Sequence, residues 1–483
     1  MEIPDFPKNL AYNIKNLSGF SKSTVVLTGD KSATVNAGDT IKVKLPSNTI
    51  VDLRTFSMHF KGTCSADTAA SRLHFPRLTS SLIKTLAVYI NGTLIERIDN
   101  YNTLYNKLYD LDGGGIDQTA KRFLENADPS VGYKIGNNAT DKSAGTRINK
   151  CSSATVSDNK QKFMVNNWLG FLSTASCPCP DTNDLNNVEI EITFDNERVL
   201  WGAGTAVVSG VANSGAGNNL TTTGATYVLE DVKFTISKII FNNPLYYDMK
   251  ASKLLSTGLM IGYQTYITSK QSPFTKSTSV SVLTTVNTTS LDQIICCLQP
   301  ADTPISKLQL AGTNDTTSGD TFNEVFSRDY TGALGTDTDN AVNSGDLYNQ
   351  CIYFMSDATG LVSSSIEINN TPLMPQPLDD ATVYNESLIA LGNLNQDMAS
   401  GIHPGCCSLS LFLKYYFAHI VSLENIQQGD FYKSGLDGRA SALNIALKLS
   451  FSGASTASFT PYIFCKTTRI MQINEGHAIT III

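Results

Sequence analysis

Near the middle of the 483-residue chain, Tyr227 to Phe241 sets Val232, Phe234 and Ile236 against polar neighbours. That two-residue period belongs to a strand with one face buried. Pro244 has no amide proton for a ladder and biases Asn243 towards an extended or turn conformation, so the strand is expected to stop there. A short helix-like connector fits next, with a new strand from about Met260 to Thr268. The joint is central and similar material flanks it. A chain of this length is also too long for one ordinary core and holds two domains of roughly 200–250 residues. Two β-domains in tandem are expected.

Strand signals are dense before the joint. Ile41, Val43 and Leu45 alternate with lysines; Phe56, Met58 and Phe60 alternate with polar residues; Leu86, Val88 and Ile90 lead into Asn91-Gly92. Asn-Gly between apolar runs is a strong hairpin signal, because both residues tolerate the positive φ of a type I′ turn. The return strand is Leu94 to Ile98. Tyr101, Leu104, Tyr105, Leu108 and Leu111 then recur at helical spacing behind Asp99 and Asn100. A second short helix is expected around Ala120 to Ala127. Phe163 to Leu172 reads as one buried strand, and Val188, Ile190, Ile192 and Phe194 as an alternating one.

After the joint the plan repeats. Strands are expected at 260–268, 278–286 and 293–298, then at Ile445 to Phe451 and Phe459 to Ile473. Tyr89-Ile-Asn-Gly-Thr-Leu is echoed by Glu367-Ile-Asn-Asn-Thr-Pro, each followed by a Tyr-Asn expected to open a helix (Tyr101-Asn102, Tyr384-Asn385). Such an echo in equivalent places suggests duplication. The expected fold is all-β: two tandem jelly-roll β-sandwich domains with short helices inserted in loops. The boundaries are an N-terminal arm over 1–22, a first jelly roll over 23–244, a linker over 245–259 and a second jelly roll over 260–483.

On the paired hairpin-helix units, the Tyr227–Phe241 strand, the Ile368–Leu378 turn and the run from Ser434 to Leu449, the chain resembles the double jelly-roll major capsid proteins. These belong to the tailless-phage, adenovirus, virophage and polinton-like virus lineage. The resemblance implies a homotrimer forming pseudo-hexameric capsomers that tile an icosahedral shell around double-stranded DNA. It implies neighbouring capsomers, penton and minor capsid or cement proteins as partners, and a virion location after synthesis in host cytoplasm or nucleus. A two-domain carbohydrate-binding spike or fibre protein is the alternative, and a polysaccharide-acting enzyme a third.

Composition agrees with a structural role. Charged residues are 16% of the chain and the formal net charge is −7, with no basic run longer than Lys121-Arg122. This leaves no electrostatic footprint for sequence-specific nucleic acid binding. Met1 to Lys8 lacks the pattern of an export signal, so the ten cysteines are expected to be reduced. No apolar run reaches the roughly 20 residues of a membrane helix. The uncharged stretch Ala203–Thr226 and residues 311–346 are expected to face outward, since long loops are usually exposed or functional.

Catalytic patterns are missing. There is no Gly-Lys for a phosphate loop, no Gly-x-Ser-x-Gly elbow and no His-Glu-x-x-His. No catalytic, cofactor or metal residue is therefore expected. His59, His74, His403, His419 and His477 are scattered, with His59 and His74 read as hydrogen-bonded core residues. Cys177-Pro-Cys179 lacks the two-residue spacer of a zinc or redox pair. Cys296-Cys297 and Cys406-Cys407 are read as small buried hydrophobes, although His403 with the latter pair would supply three zinc ligands. Asp110-Leu-Asp112 and Asp337-Thr-Asp339 are read as solvated turns in preference to calcium loops. Tyr246-Tyr247 and Tyr415-Tyr416-Phe417 are assigned to core or subunit-interface packing, since no basic groove flanks them.

Overall fold

The computed structural model describes residues 20–31, 33–65, 72–74, 76, 78–111, 150–151, 161–199, 201–203, 219–221, 226–241, 244–300, 307–311, 354, 356–391, 409, 412–413, 416–424, 435–439, 441–453 and 458–482. They form two β-sandwiches of the same topology. In the first, a sheet runs Phe20–Thr28, Thr226–Phe241, Ile50–Ser65, Gln161–Val165, with Thr34–Asn36 also paired to Thr226–Phe241. The facing sheet runs Thr40–Lys44, Val188–Phe194, Ile83–Ile90, Thr93–Asp99. In the second sandwich the sheets run Leu259–Lys270, Ser458–Ile473, Leu291–Pro300, His419–Ser422 and Val280–Val286, Leu443–Phe451, Leu361–Ile368, Thr371–Pro372.

Each unit therefore pairs its opening strand with its last long strand, onto which a short Ile479–Ile482 strand also folds back in the second unit. Phe20 lies opposite Phe241 and Leu259 opposite Ile473. This is the jelly-roll arrangement, twice. The two Asn-turn hairpins occupy equivalent positions: Asn91 and Gly92 have φ of 49° and 78°, Asn369 and Asn370 of 52° and 63°. A helix follows each, Tyr101–Leu111 and Asp380–Ala390; Tyr101 opens the first as expected, but the second starts four residues ahead of Tyr384, because Asp379 caps it by accepting from Thr382 N at 2.8 Å. The sequence echo thus marks a structural repeat.

Alternation decides what is buried. Val188, Ile190, Ile192 and Phe194 face the core while Glu189 and Glu191 point outward to Lys42 and Lys44 on the neighbouring strand. Phe56 stacks on Phe234 with ring centroids 5.6 Å apart and meets Trp168 at 5.3 Å. One expectation needs correcting: Phe163–Leu172 is not one strand. Pairing ends with Gln161–Val165, and a Phe171–Thr174 helical turn follows Gly170, whose φ of 77° no strand accommodates. Trp168 Nε1 donates to the Phe56 carbonyl at 2.9 Å, so the apolar run is buried by folding around the sheet edge.

The Pro244–Ser256 helix connects the sandwiches, with Pro244 at its first position, where the missing amide proton is no loss. A further small sheet gathers Arg72–His74, Lys150–Cys151, Trp201–Ala203 and Asn219–Thr221 from the first unit with Lys307–Ala311 from the second. The ends of the two long expected outward loops thus meet, while most of both loops and the expected helix at 120–127 lie outside the described residues. No described helix is long and apolar enough to cross a membrane.

Candidate functional site: the seam between the sandwiches

The seam begins with an exposed-edge problem. The Leu259–Lys270 strand is paired on one side only, with Ser458–Ile473, and a bare strand edge invites wrong pairing unless it is covered. Here the first sandwich covers it. Ser176 N donates to the Gly262 carbonyl at 2.7 Å and Ser176 Oγ accepts from Gly262 N at 2.9 Å. Thr174 Oγ1 accepts from Gln264 N at 2.9 Å. Further along, Tyr263 Oη donates to the Ile95 carbonyl at 2.8 Å and Thr268 Oγ1 to the Asp99 carbonyl at 2.7 Å.

Under this cover lies Glu96, only 1% exposed. Its Oε1 accepts from Phe171 N at 2.8 Å. Phe171 in turn packs edge-to-face on Tyr263 at 5.3 Å. Burial pushes the Glu96 carboxyl up to about 8, against the pull of the Phe171 amide, Thr265 and the Arg469 charge. Burial likewise holds the Tyr263 phenol well above its ordinary value. Glu96 was not singled out from the sequence, where it is one more polar residue in a hairpin strand. Gly170, interrupting an apolar run, was the available signal.

The Glu96 shift has a measurable consequence. The folded chain holds a proton on Glu96 that the unfolded chain releases near pH 4.5, so this group's contribution is fully present below about pH 4.5 and is lost as pH rises through about 8. The effect is on the order of a few kcal/mol, at 1.36 kcal/mol per pKa unit. Glu96→Gln, which keeps an acceptor for Phe171 N, is expected to flatten this part of the melting profile and raise stability above pH 8. Chemical denaturation across that range checks it; an unchanged pH slope would remove Glu96 from the account.

The far end of the seam is ionic. Lys250 on the connecting helix reaches Asp181 at 2.6 Å and Asp184 at 3.0 Å. Burial alone would lower the Lys250 pKa, and the two carboxylates overcome it and raise it. Asp184 is itself raised, chiefly by burial. His477 Nδ1 donates to the Asp184 carbonyl at 2.9 Å, and Asn91 Nδ2 of the first hairpin turn donates to the His477 carbonyl at 3.1 Å. Beside this cluster opens a groove of about 330 Å³ whose walls include Cys177, Tyr246, Met249, Lys250, Met260 and Ile473.

The remaining candidates are dispersed. Cys177 and Cys179 are half-buried free thiols, with burial the largest influence raising both pKa values. Cys296, Cys297 and Cys465 are buried and free, held up in the same way. His59 is half-buried and shares hydrogen bonds with Ser57 and Thr235. His419 is buried against Ser364 at 2.7 Å, and burial lowers it to about 4. Tyr416 and Phe417 are core residues. Tyr246 and Tyr247, expected in core or interface packing, are each 39% exposed in this chain, since they open a helix that lies on the surface. His403, Cys406, Cys407, Asp112, Asp337, Asp339 and Tyr415, and the side chains of His74 and Asp110, lie outside the described residues. Among the described residues no group of three His, Cys, Asp or Glu side chains is placed to hold a metal ion.

No family model and no curated protein sequence matches the chain. Solved structures do. PBCV-1 VP54, fitted into a reconstruction of the virophage Sputnik, superposes with a TM-score of 0.58 at 12% identity, covering 98% of this chain and 99% of that one. The Sputnik virophage structure gives 0.55 at 10% identity over 100% and 93%. The Faustovirus major capsid protein gives 0.54 at 8% identity over 96% and 92%. At such identities the likeness establishes the fold. It is the double jelly roll, end to end.

Proposed function

We propose that this double jelly-roll chain is a viral major capsid protein, trimerising into pseudo-hexameric capsomers that tile an icosahedral shell around double-stranded DNA. The observation that carries the reading is the repeat itself. Two sandwiches of one topology are locked side by side by the seam, giving a block with near two-fold repetition. Three such blocks around an axis present six similar corners, the shape a hexagonal net requires. Likeness over nearly the full length of other chains that build capsids supports this. The role needs no catalytic group and no cofactor; its chemistry is surface complementarity with neighbouring capsomers, penton and minor capsid proteins. Its place is the virion, after synthesis in host cytoplasm or nucleus.

Outward apolar side chains are available for burial in such contacts, among them Val26, Leu283 and Val362, at 59%, 65% and 52% exposure. Obligate interfaces bury roughly 2,000 Å² or more and are apolar at their cores. The chain is therefore expected to be a trimer whose melting temperature rises with protein concentration. Light scattering coupled to size exclusion, followed by electron microscopy of concentrated protein, is the measurement. A folded monomer that persists at high concentration and builds nothing larger sinks the capsid reading and favours a carbohydrate-binding spike, which glycan arrays then test.

A further inference from the structure

We infer that the groove beside the connecting helix is the docking site of the residues that precede Phe20. Three observations converge on it. The first is position. The opening strand is antiparallel to Thr226–Phe241 with Phe20 opposite Phe241, so Phe20 lies beside the strand end that leads, three residues on, into the Pro244–Ser256 helix. The Phe241 ring meets Tyr246 edge-to-face at 5.5 Å, and Tyr246 is a wall of the groove.

The second is the surface. Most of the connecting helix is exposed, and two apolar walls of the groove, Met249 and Met260, are 66% and 55% exposed. Apolar side chains grouped at one groove mark a contact site more than scattered ones do. The third is the occupant's chemistry. Leu10, Tyr12 and Ile14 alternate with Ala11, Asn13 and Lys15, a two-residue apolar period suited to lying along an apolar wall. The segment carries Glu2 and Asp5, opposite in sign to Lys253 at the groove wall. Nineteen residues, at roughly 3.3 Å each when extended, give the segment ample length to lie along the groove.

The proposal does not depend on the capsid reading, because it can be tested in whatever assembly state the full chain adopts. A photoreactive benzoylphenylalanine in place of Tyr12 is expected to cross-link to peptides from Cys177–Leu185 or Tyr246–Ile261. The same group in place of the exposed Ser281 should not. Mixing heavy-isotope and light copies distinguishes docking within one copy from exchange between copies, and either locates the occupant. Met249→Asp, at an exposed position that leaves the fold intact, is expected to lower the Tyr12 cross-link about tenfold. Removing residues 1–19 should speed amide exchange over Tyr246–Leu254 by about tenfold, as expected when a covering segment is lost. Cross-links falling elsewhere, or exchange unchanged by the truncation, overturn the assignment.

Discussion

Gly170→Ala should destabilise the chain by about 3–5 kcal/mol and loosen the two sandwiches from each other, combining backbone strain with overpacking. Gly170 has φ 77° and ψ −148°, a region essentially reserved for glycine. A Cβ there would lie 2.3 Å and 2.7 Å from the two carboxylate oxygens of Glu96. Glu96 has nowhere to go, since Phe171 N holds one oxygen and the seam encloses the other. The added methyl group must push either the 170–176 segment off the Leu259–Lys270 edge or the hairpin off its sheet. Gly92→Ala is the internal control, because φ is 78° there too but a Cβ meets nothing within 4 Å. It should cost about 1 kcal/mol, the conformational part alone. Urea denaturation of both variants separates the two contributions, and a second transition in Gly170→Ala alone would report uncoupled sandwiches. Equal effects of the two substitutions would mean that the Glu96 contact does not govern the seam.

The second large effect belongs to the interior of the second sandwich. Lys276 Nζ donates to Asp357 Oδ1 at 3.0 Å and to the Thr359 carbonyl at 3.1 Å, and lies over the Phe459 ring at 4.4 Å. Both side chains are under 10% exposed, at 6% and 8%. Burial lowers the Lys276 pKa in spite of the Asp357 charge. Lys276→Met should cost about 3–5 kcal/mol, because it leaves a buried carboxylate without its counter-charge. The cost of losing the ammonium alone would be far smaller. Adding Asp357→Asn to Lys276→Met is therefore expected to restore most of the loss, since two neutral groups replace one stranded charge. Thr359 N, which donates to Asp357 at 2.7 Å, keeps an acceptor in that variant. If the double variant is as unstable as the single one, packing of the Lys276 stem over Phe459 and Phe451 carries the effect instead.

Much of this architecture is written in local pattern. Val188 to Phe194, Thr226 to Phe241 and Leu443 to Phe451 keep a two-residue period because successive side chains on a strand must face opposite ways. Asn91-Gly92 and Asn369-Asn370 turn as their residue types require, with φ above zero at all four positions. Helices follow both turns, the first on the helical spacing of Tyr101, Leu104, Tyr105 and Leu108, the second behind the Asp379 cap. The doubling of the unit could be inferred from this recurrence, whereas strand order, which joins residues as distant as Phe20 and Phe241, came from the structure.

The seam could not be inferred either. Glu96 sits in a hairpin strand like any solvent-facing residue, and only the Phe171–Ala175 segment folding over it makes it a buried acid. Phe163 to Leu172 is apolar on both sides of Asn166-Asn167 and shows no clean alternation, so periodicity alone could not reveal that pairing stops at Val165 and the chain turns at Gly170. Lys276 and Asp357 are 81 residues apart, as are most partners that matter here in kind if not in number. Side-chain period is a property of a few consecutive residues and is fixed by backbone geometry. Burial at the seam depends on which distant strand edge needs covering, and that is decided only when both sandwiches are formed and brought together.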